Sequence, residues 1–374
     1  MIGENRPDRE RLCIMGLINQ EDNIFVVAGP CAVESERQTL ATARSVSWMQ
    51  DIVEPFQVTM GFRGGAWKPR TEYRDRNANK VFEGTREEGL AWLARAGSEY
   101  QLPVFSECMS EQDLRHFGRL LNFERDYIQV GARTSKAYAL LHAIGGEPFG
   151  VLLKSPEHGV RAREAVGSLS RMAKNRDMDL LYCIRGQHHF LDPDCRQTSE
   201  SELYNRPTQH ADSRNLNNVG QIKRLRESDR AREFFGAHSV RTFFDPSHTF
   251  GGANDETRRM IGRFAVEAVT NPDYRYDGIL LEVNDRPDLA KCDGAQALLS
   301  SSTGVDWSRT NAGQMGCVEA AGGEKPAEGH EPLTLVDILC KIIEYQAKRL
   351  DSVDQKEVAE AQNELQEIKW QNWA

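Results

Sequence analysis

The sequence predicts an α/β fold of eight parallel strands alternating with helices, and three observations support this prediction. Short, apolar, β-branched runs recur along the chain, longer segments of helical periodicity separate them, and the alternation continues from residue 23 to residue 350. Eight strand–helix units over such a length are typical of a closed (β/α)8 TIM barrel. An open, doubly wound sheet shows the same alternation and remains the alternative at this point.

The elements follow one another in a regular order. The predicted strands are NIFVVAGP from 23, FQVTMGFR from 56, LPVFSECM from 102, DYIQVGA from 126, FGVLLKS from 149, DLLYCIRG from 179, SVRTFFDPSH from 239 and DGILLEVND from 277. The predicted helices are SERQTLATARSVSWMQDI, REEGLAWLARAGSEY, SEQDLRHFGRLL, SKAYALLHAIG, VRAREAVGSLSRMAKN, a segment near 213–234, DETRRMIGRFAVEAVTN and PLTLVDILCKIIEYQAKRL. Their apolar residues recur at helical spacing, which places one face of each helix against the sheet.

Two segments do not fit this alternation. Residues 191–215 and 299–331 are rich in polar and turn-forming residues, and we expect them to be long loop insertions. We therefore expect an N-terminal extension over 1–23, one barrel domain over 24–350 that contains both insertions, and a C-terminal helical tail over 351–374.

Composition and charge exclude several classes of protein. The 374 residues are 39% hydrophobic and 28% charged, as in a soluble globular protein. The 47 basic and 56 acidic side chains give a net charge of −9, which argues against general affinity for nucleic acid or anionic membranes. The N-terminus has charges where a signal peptide needs an apolar stretch, so we expect a cytoplasmic protein. The eight cysteines form no CxxC pair, which predicts neither a zinc ribbon nor a disulfide framework.

Positively charged side chains end or follow four of the eight predicted strands. Arg63, Lys68 and Arg70 come at the second strand, Arg133 after the fourth, and Lys154 and Arg185 at the ends of the fifth and sixth. In a barrel, catalytic side chains come from these strand ends, so the six cations would share one rim. They would repel one another unless anions occupy the site, which predicts phosphorylated or carboxylated substrates. Any one of them alone would more often be a solvated surface residue.

The same rim carries residues that bind metals. Cys31, His248, Glu282 and Asp293 follow or end the first, seventh and eighth strands, and Glu107 and Asp245 add two more carboxylates. A thiolate, an imidazole and carboxylates can hold manganese, iron, cobalt or zinc, and the mixed set does not choose among them. Taken singly, Cys31 also fits a small buried hydrophobic residue, and His248 a structural histidine.

Several blocks together carry a family resemblance. AGPCAVES at 28–35, RGGAWKPRT at 63–71, IQVGAR at 128–133, VLLK at 151–154, DPSH at 245–248, and GILLEV followed by DGAQALL at 293–299 occur in order. The chain resembles the 3-deoxy-D-arabino-heptulosonate 7-phosphate (DAHP) synthases, in the subgroup related to 3-deoxy-octulosonate 8-phosphate synthases. The resemblance implies condensation of phosphoenolpyruvate with erythrose 4-phosphate, at the first step of the shikimate pathway or in a secondary-metabolic branch. It also implies a homo-oligomer, a dimer or tetramer.

The resemblance implies a role for each site residue. Cys31, His248, Glu282 and Asp293 would hold a divalent metal. Arg63 and Lys68 would meet the phosphoenolpyruvate carboxylate and the reacting centre, Arg70 and Thr71 the aldose phosphate, and Arg133, Lys154 and Arg185 the phosphoenolpyruvate phosphate. Lys68 is the candidate for proton transfer or for orienting the aldehyde, with Asp245 and Glu107 as supporting or water-handling carboxylates. The KPRT block favours the four-carbon aldose, because octulosonate enzymes show a KANRT-like block there.

The chain departs from the family pattern at the loops. EYRDRNANKVFEG follows KPRT in place of a shorter S-P-Y-x-F-x-G block, CIRG lacks the acidic residue that commonly precedes RG, QHHF replaces a typical IRTF, and LLKSPEHG replaces the usual LLKRG. Two alternatives therefore stay open: a related synthase that uses another aldose phosphate, and a non-catalytic barrel homologue.

Overall fold

The structure is a computed structural model that describes residues 22–69, 82–158, 160–174, 179–187, 218–249, 255–284, 290–292, 297–299, 334–350 and 353–368. The predicted insertion at 191–215, all but the first residue of the one at 299–331, and residues 1–21 of the predicted extension lie outside the described residues. Three predicted site residues, Arg70, Thr71 and Asp293, also lie outside them.

Eight parallel strands close into a barrel in the order in which they occur along the chain. They are β1 (Ile24–Gly29), β2 (Val58–Arg63), β3 (Val104–Glu107), β4 (Tyr127–Val130), β5 (Gly150–Lys154), β6 (Leu180–Arg185), β7 (Arg241–Asp245) and β8 (Gly278–Glu282). β1 pairs with both β2 and β8, so that Ala28 lies beside Phe62 and Gly29 beside Glu282. This closure confirms the predicted barrel and rules out the open sheet.

Helices surround the barrel in the predicted order. They are α1 (Glu36–Val53), α2 (Arg86–Tyr100), α3 (Glu111–Leu120), α4 (Tyr138–Ile144), α5 (Ala162–Met172), α6 (Gln221–Glu227), α7 (Asp229–Ala237), α8 (Asp255–Thr270), α9 (Leu335–Ala347) and α10 (Gln355–Glu367). The segment predicted as one helix near 213–234 forms α6 and α7, because Ser228 ends α6 and its side chain caps α7. No helix in the described part of the chain has the length and apolar character to cross a membrane.

Helix α10 is the predicted C-terminal helix. Asp354 caps its first turn by accepting hydrogen bonds from the backbone of Lys356 and Glu357. Val358, Ala361 and Leu365 are buried on one face and belong to the main apolar core. This face fixes the helix on the outside of the barrel.

The core has two parts, one on each side of the strands. Val26, Met60 and Ile128 point outward and pack under the helices, whereas Phe25, Phe105 and Tyr127 point into the barrel. The rings of Phe105 and Tyr127 stack with their centroids 4.4 Å apart. The barrel interior is therefore a packed apolar plug, and polar chemistry is confined to the ends of the strands.

Candidate active site

The site begins where the apolar plug ends. Six strands have a charged side chain as their last residue: Arg63, Glu107, Lys154, Arg185, Asp245 and Glu282. Each is between 0% and 7% exposed. Side chains alternate along a strand, and the five on β3 and β5–β8 have the parity of the inward-pointing apolar residues. Arg63 has the parity of Gly61, which faces the barrel interior. All six therefore lie together in the mouth of the barrel at the carboxyl ends of the strands.

A continuous chain of charge contacts crosses this mouth. Lys154 Nζ lies 2.7 Å from Asp245 Oδ2, and His248 Nδ1 lies 2.8 Å from the same oxygen and 3.0 Å from Asp245 Oδ1. His248 Nε2 is 3.3 Å from Glu282 Oε1, which in turn lies 3.2 Å from Arg63 Nη1. Three cationic or basic side chains thus alternate with two carboxylates, which offsets the cost of burying each charge.

Asp245 is the centre of this chain. Its Oδ1 also accepts the backbone N–H of His248 at 3.0 Å, which holds the DPSH turn against the strand end. Burial alone raises the pKa of the Asp245 carboxyl, but His248 and Lys154 outweigh it and hold that pKa well below its usual range. Asp245 is therefore an anion that fixes Lys154 and His248.

The loop after β2 places Lys68 beside the first strand end. Lys68 N–H donates to the carbonyl of Glu83 at 2.9 Å, and Nζ donates to the carbonyl of Cys31 at 3.0 Å. Gly65 allows this approach, because a Cβ there would lie 2.8 Å from Lys68 Cδ and 2.7 Å from the Cys31 oxygen. Burial lowers the pKa of Lys68, but Cys31, Cys292 and Glu107 face it and raise that pKa above its ordinary value. The ammonium therefore stays charged.

Cys31 has a partner that the sequence did not reveal. Its Sγ lies 2.9 Å from Cys292 Sγ, and both side chains are buried. The hydrogen bond with Cys292 and burial raise the pKa of the Cys31 thiol well above its ordinary value. The two residues are 261 positions apart, so no local spacing could have indicated the pair.

Two of the predicted phosphate-binding residues meet at a carboxylate. Arg133 Nε lies 3.4 Å from Glu157 Oε1, and Arg185 Nη1 lies 3.6 Å from the same oxygen. Arg133 also donates from Nη1 to the carbonyl of Pro69 at 2.7 Å, which joins the loops after β2 and β4. The only signal of Glu157 in the sequence was that SPEHG departs from the family pattern.

Glu107 is held by the close approach of the β4 loop. A Cβ at Gly131 would lie 1.8 Å from Glu107 Oε1, so only glycine leaves room for the carboxylate. Glu107 faces Lys68 and Arg63 closely enough to raise the pKa of both groups. The structure therefore brings Glu107 into the same cavity mouth as the cations.

The donors fit a divalent transition metal in type. His248 Nε2 and Glu282 Oε1 point at each other, and Asp245 holds the other ring nitrogen of His248, as a carboxylate commonly does for a metal-bound histidine. Cys31 is near enough to Glu282 for the carboxylate to raise its pKa. Within the described residues no three His, Cys, Asp or Glu side chains are gathered closely enough to hold an ion, and the fourth predicted ligand, Asp293, lies outside them.

Comparison with known proteins agrees with this architecture. A curated phospho-2-dehydro-3-deoxyheptonate aldolase of Thermotoga maritima is 27% identical over 273 residues, which are 73% of this chain and 64% of that protein. This chain thus spans less than two thirds of that relative. A 2-dehydro-3-deoxyphosphooctonate aldolase of Koribacter versatilis is 24% identical over 278 residues, 74% of this chain and 85% of that protein.

Solved structures show the same relationship. The crystal structure of the T. maritima phospho-2-dehydro-3-deoxyheptonate aldolase (DAHP synthase) has a TM-score of 0.53 and 25% identity, over 75% of this chain and 65% of that one. The model of the DAHP synthetase I family matches residues 14–310, a range that contains all eight strands and every predicted site residue. On its sequence and its barrel, the chain belongs to the DAHP synthetase I family.

Proposed function

We propose that this protein condenses phosphoenolpyruvate with erythrose 4-phosphate to give DAHP and inorganic phosphate. The observation that carries the proposal is the buried charged rim, in which Arg63, Lys154 and Arg185 end three strands of one barrel mouth. Buried cations at one rim suit a small polyanion, and phosphoenolpyruvate supplies both a carboxylate and a phosphate.

Each end of phosphoenolpyruvate has its own group of cations in this proposal. Arg63 and Lys68 hold the carboxylate end, and Arg133, Lys154 and Arg185 hold the phosphate. Arginine forks suit bidentate anion binding, and Lys154 acts as a point charge fixed by Asp245 at 2.7 Å. Arg70 and Thr71, which lie outside the described residues, are proposed to bind the aldose phosphate. Holding both anions in one mouth overcomes their mutual repulsion.

The reaction follows from this placement. C3 of phosphoenolpyruvate attacks the aldehyde carbon and water adds at C2. The C2–O bond to phosphate then breaks, and the proton of the C2 hydroxyl leaves with the phosphate to give the keto acid. Lys68 is a charged donor that gives its proton to the aldehyde oxygen as negative charge develops there. Glu107 orients the water and takes up its proton. Asp245 is already committed to Lys154 and His248, so it acts by positioning them.

A divalent metal is part of the proposal. Cys31, His248, Glu282 and Asp293 would hold it, and it would polarise the aldehyde as a Lewis acid. Manganese, iron, cobalt and zinc all fit this set of donors. Metal analysis of the purified protein, and its change in His248→Ala, tests this assignment without an activity assay.

The function is tested by phosphate release from phosphoenolpyruvate with four-carbon and five-carbon aldose phosphates, in the presence of manganese. We expect release with erythrose 4-phosphate and a loss of at least about 100-fold in Lys68→Ala without unfolding. Lys174→Ala is the matched control, because Lys174 also donates to a backbone carbonyl but is exposed at the helical surface. Absence of release with every aldose would instead support a non-catalytic homologue.

A second candidate is a synthase that uses a five-carbon aldose phosphate. The likeness to 2-dehydro-3-deoxyphosphooctonate aldolases supports it, and faster release with the five-carbon substrate would establish it. In either case we propose a cytoplasmic homo-oligomer, a dimer or tetramer, which gel filtration with light scattering tests.

A further inference from the structure

The proposed phosphate position of the active site already holds a negative charge. The Glu157 carboxylate bridges Arg133 and Arg185 at 3.4 and 3.6 Å. Its side chain is 14% exposed, beside an Arg185 side chain that is 6% exposed. A carboxylate in this place is a partner for the same two guanidinium groups that a substrate phosphate would use.

A phosphate and the Glu157 carboxylate would compete for this position. With both anions against the same arginines, their like charges would lie in contact in a largely buried site, where repulsion is poorly screened. One of them must therefore leave. We propose that Glu157 is an internal anion that occupies the phosphate position of the free protein and is displaced when phosphoenolpyruvate binds; the inference rests on the function proposed above.

The contacts indicate that Glu157 neutralises the arginines without saturating them. The distances of 3.4 and 3.6 Å exceed those of normal N–H···O hydrogen bonds. Nε of Arg185 is buried and has no hydrogen-bond partner among the described residues. Arg133 uses Nη1 on the Pro69 carbonyl. A phosphate, with more acceptor oxygens and more charge, would satisfy donors that the carboxylate does not reach.

Glu157 stands three residues after Lys154, in the loop that follows β5, and the adjacent His158 is exposed. Lys154 Nζ is paired with Asp245 Oδ2 at 2.7 Å, and Glu157 is not a member of that pair. Displacement of Glu157 therefore does not require the buried Lys154–Asp245 pair to break.

The opposite role predicts the opposite result. If Glu157 instead held the two arginines in their binding positions, removing its charge would let their guanidinium groups move and would weaken phosphate binding. If it is a competitor, removing its charge strengthens binding. The isosteric variant Glu157→Gln keeps the size of the side chain and removes only the charge, so it separates the two roles.

The test is calorimetric titration of the full chain with inorganic phosphate and, separately, with phosphoenolpyruvate. We expect Glu157→Gln to lower the Kd of both ligands about tenfold, which corresponds to about 1.4 kcal/mol. Glu157→Asp keeps the charge on a shorter stem and should fall between wild type and Glu157→Gln. Glu124→Gln is the matched control: it removes the same charge from an exposed position in the turn before β4, at the opposite end of the barrel.

The outcomes distinguish this inference from the proposed function. If the wild type binds phosphoenolpyruvate and Glu157→Gln, folded by its melting temperature, binds either ligand equally or more weakly, Glu157 is not a competitor and only this inference fails. If neither protein binds phosphoenolpyruvate, the proposed function and the inference both fail. If Glu124→Gln gained the same affinity for phosphate and phosphoenolpyruvate as Glu157→Gln, the cause would be the net charge of the protein. That result would also overturn the inference.

Discussion

Replacing Asp245 by asparagine would remove the central carboxylate of the charged rim while keeping its shape. Lys154 Nζ lies 2.7 Å from Asp245 Oδ2, and the two side chains are 4% and 0% exposed. Loss of one partner from a buried pair destabilises a protein by about 3–5 kcal/mol, because the other charge stays buried without compensation. At an unfolding entropy of about 2.1 cal/mol/K per residue, 374 residues give about 0.8 kcal/mol per degree, so the melting temperature should fall by about 4–6 °C.

A second Lys–Asp pair provides the control. Lys223 and Asp273 are also 2.7 Å apart, but their side chains are 44% and 67% exposed. Asp273→Asn should leave the melting temperature unchanged within error, since solvent screens this pair. Differential scanning calorimetry of both variants isolates burial as the cause. Equal melting temperatures for Asp245→Asn and wild type would show that the buried Lys154–Asp245 pair does not stabilise the fold.

The melting temperature of Asp245→Asn can also be measured with added inorganic phosphate. Asp245→Asn leaves Lys154 without its carboxylate, so an added anion should stabilise the variant more than the wild type. A phosphate-dependent rise in melting temperature that is the same in both proteins would show that Lys154 does not face the anion position.

Two other substitutions test the support of the site and the barrel. Gly131→Ala should reduce turnover by about 100-fold while the far-UV circular dichroism is kept, because a Cβ would lie 1.8 Å from Glu107 Oε1 and displace that carboxylate. Its control is Gly167→Ala, whose Cβ would have no neighbour within 4 Å, and equal turnover in the two variants would contradict this role for Glu107. Tyr127→Phe should lower the free energy of unfolding by about 1–3 kcal/mol, since the buried hydroxyl donates to Asp179 at 2.9 Å. Tyr138→Phe is the control, because Tyr138 is exposed. Equal free energies of unfolding for Tyr127→Phe and Tyr138→Phe in denaturant would show that the Tyr127–Asp179 hydrogen bond does not stabilise the protein.

The barrel was predictable because each strand carries its own local signal. The apolar runs mark the strands, and residues such as Lys154 and Asp245 mark where the strands end, so the count of eight strand–helix units favours a barrel. The pairing of β1 with β8 then excludes the open sheet. The break between α6 and α7 was missed, although Ser228 followed by Asp229 is a typical helix start.

The site was predictable only in its residue types. Cys292 and Glu157 reach the strand ends through contacts between loops that are distant in sequence, such as the 2.9 Å approach of Cys292 to Cys31. Loop conformation decides those contacts, and the spacing of residues along the chain does not encode it. Glu157 also has no functional signature of its own until Arg133 and Arg185 are seen on either side of it.

The proposed function depends on binding of the anionic substrate by the buried cations of the strand ends. Titration of phosphoenolpyruvate into wild type, Arg185→Ala and Arg232→Ala measures that binding. Arg232 lies on the outside of the barrel in α7 and serves as the control. We expect Arg185→Ala to raise the Kd by about 10–100-fold and Arg232→Ala to leave it unchanged. Equal affinity of all three proteins for phosphoenolpyruvate would show that the strand-end cations do not bind it.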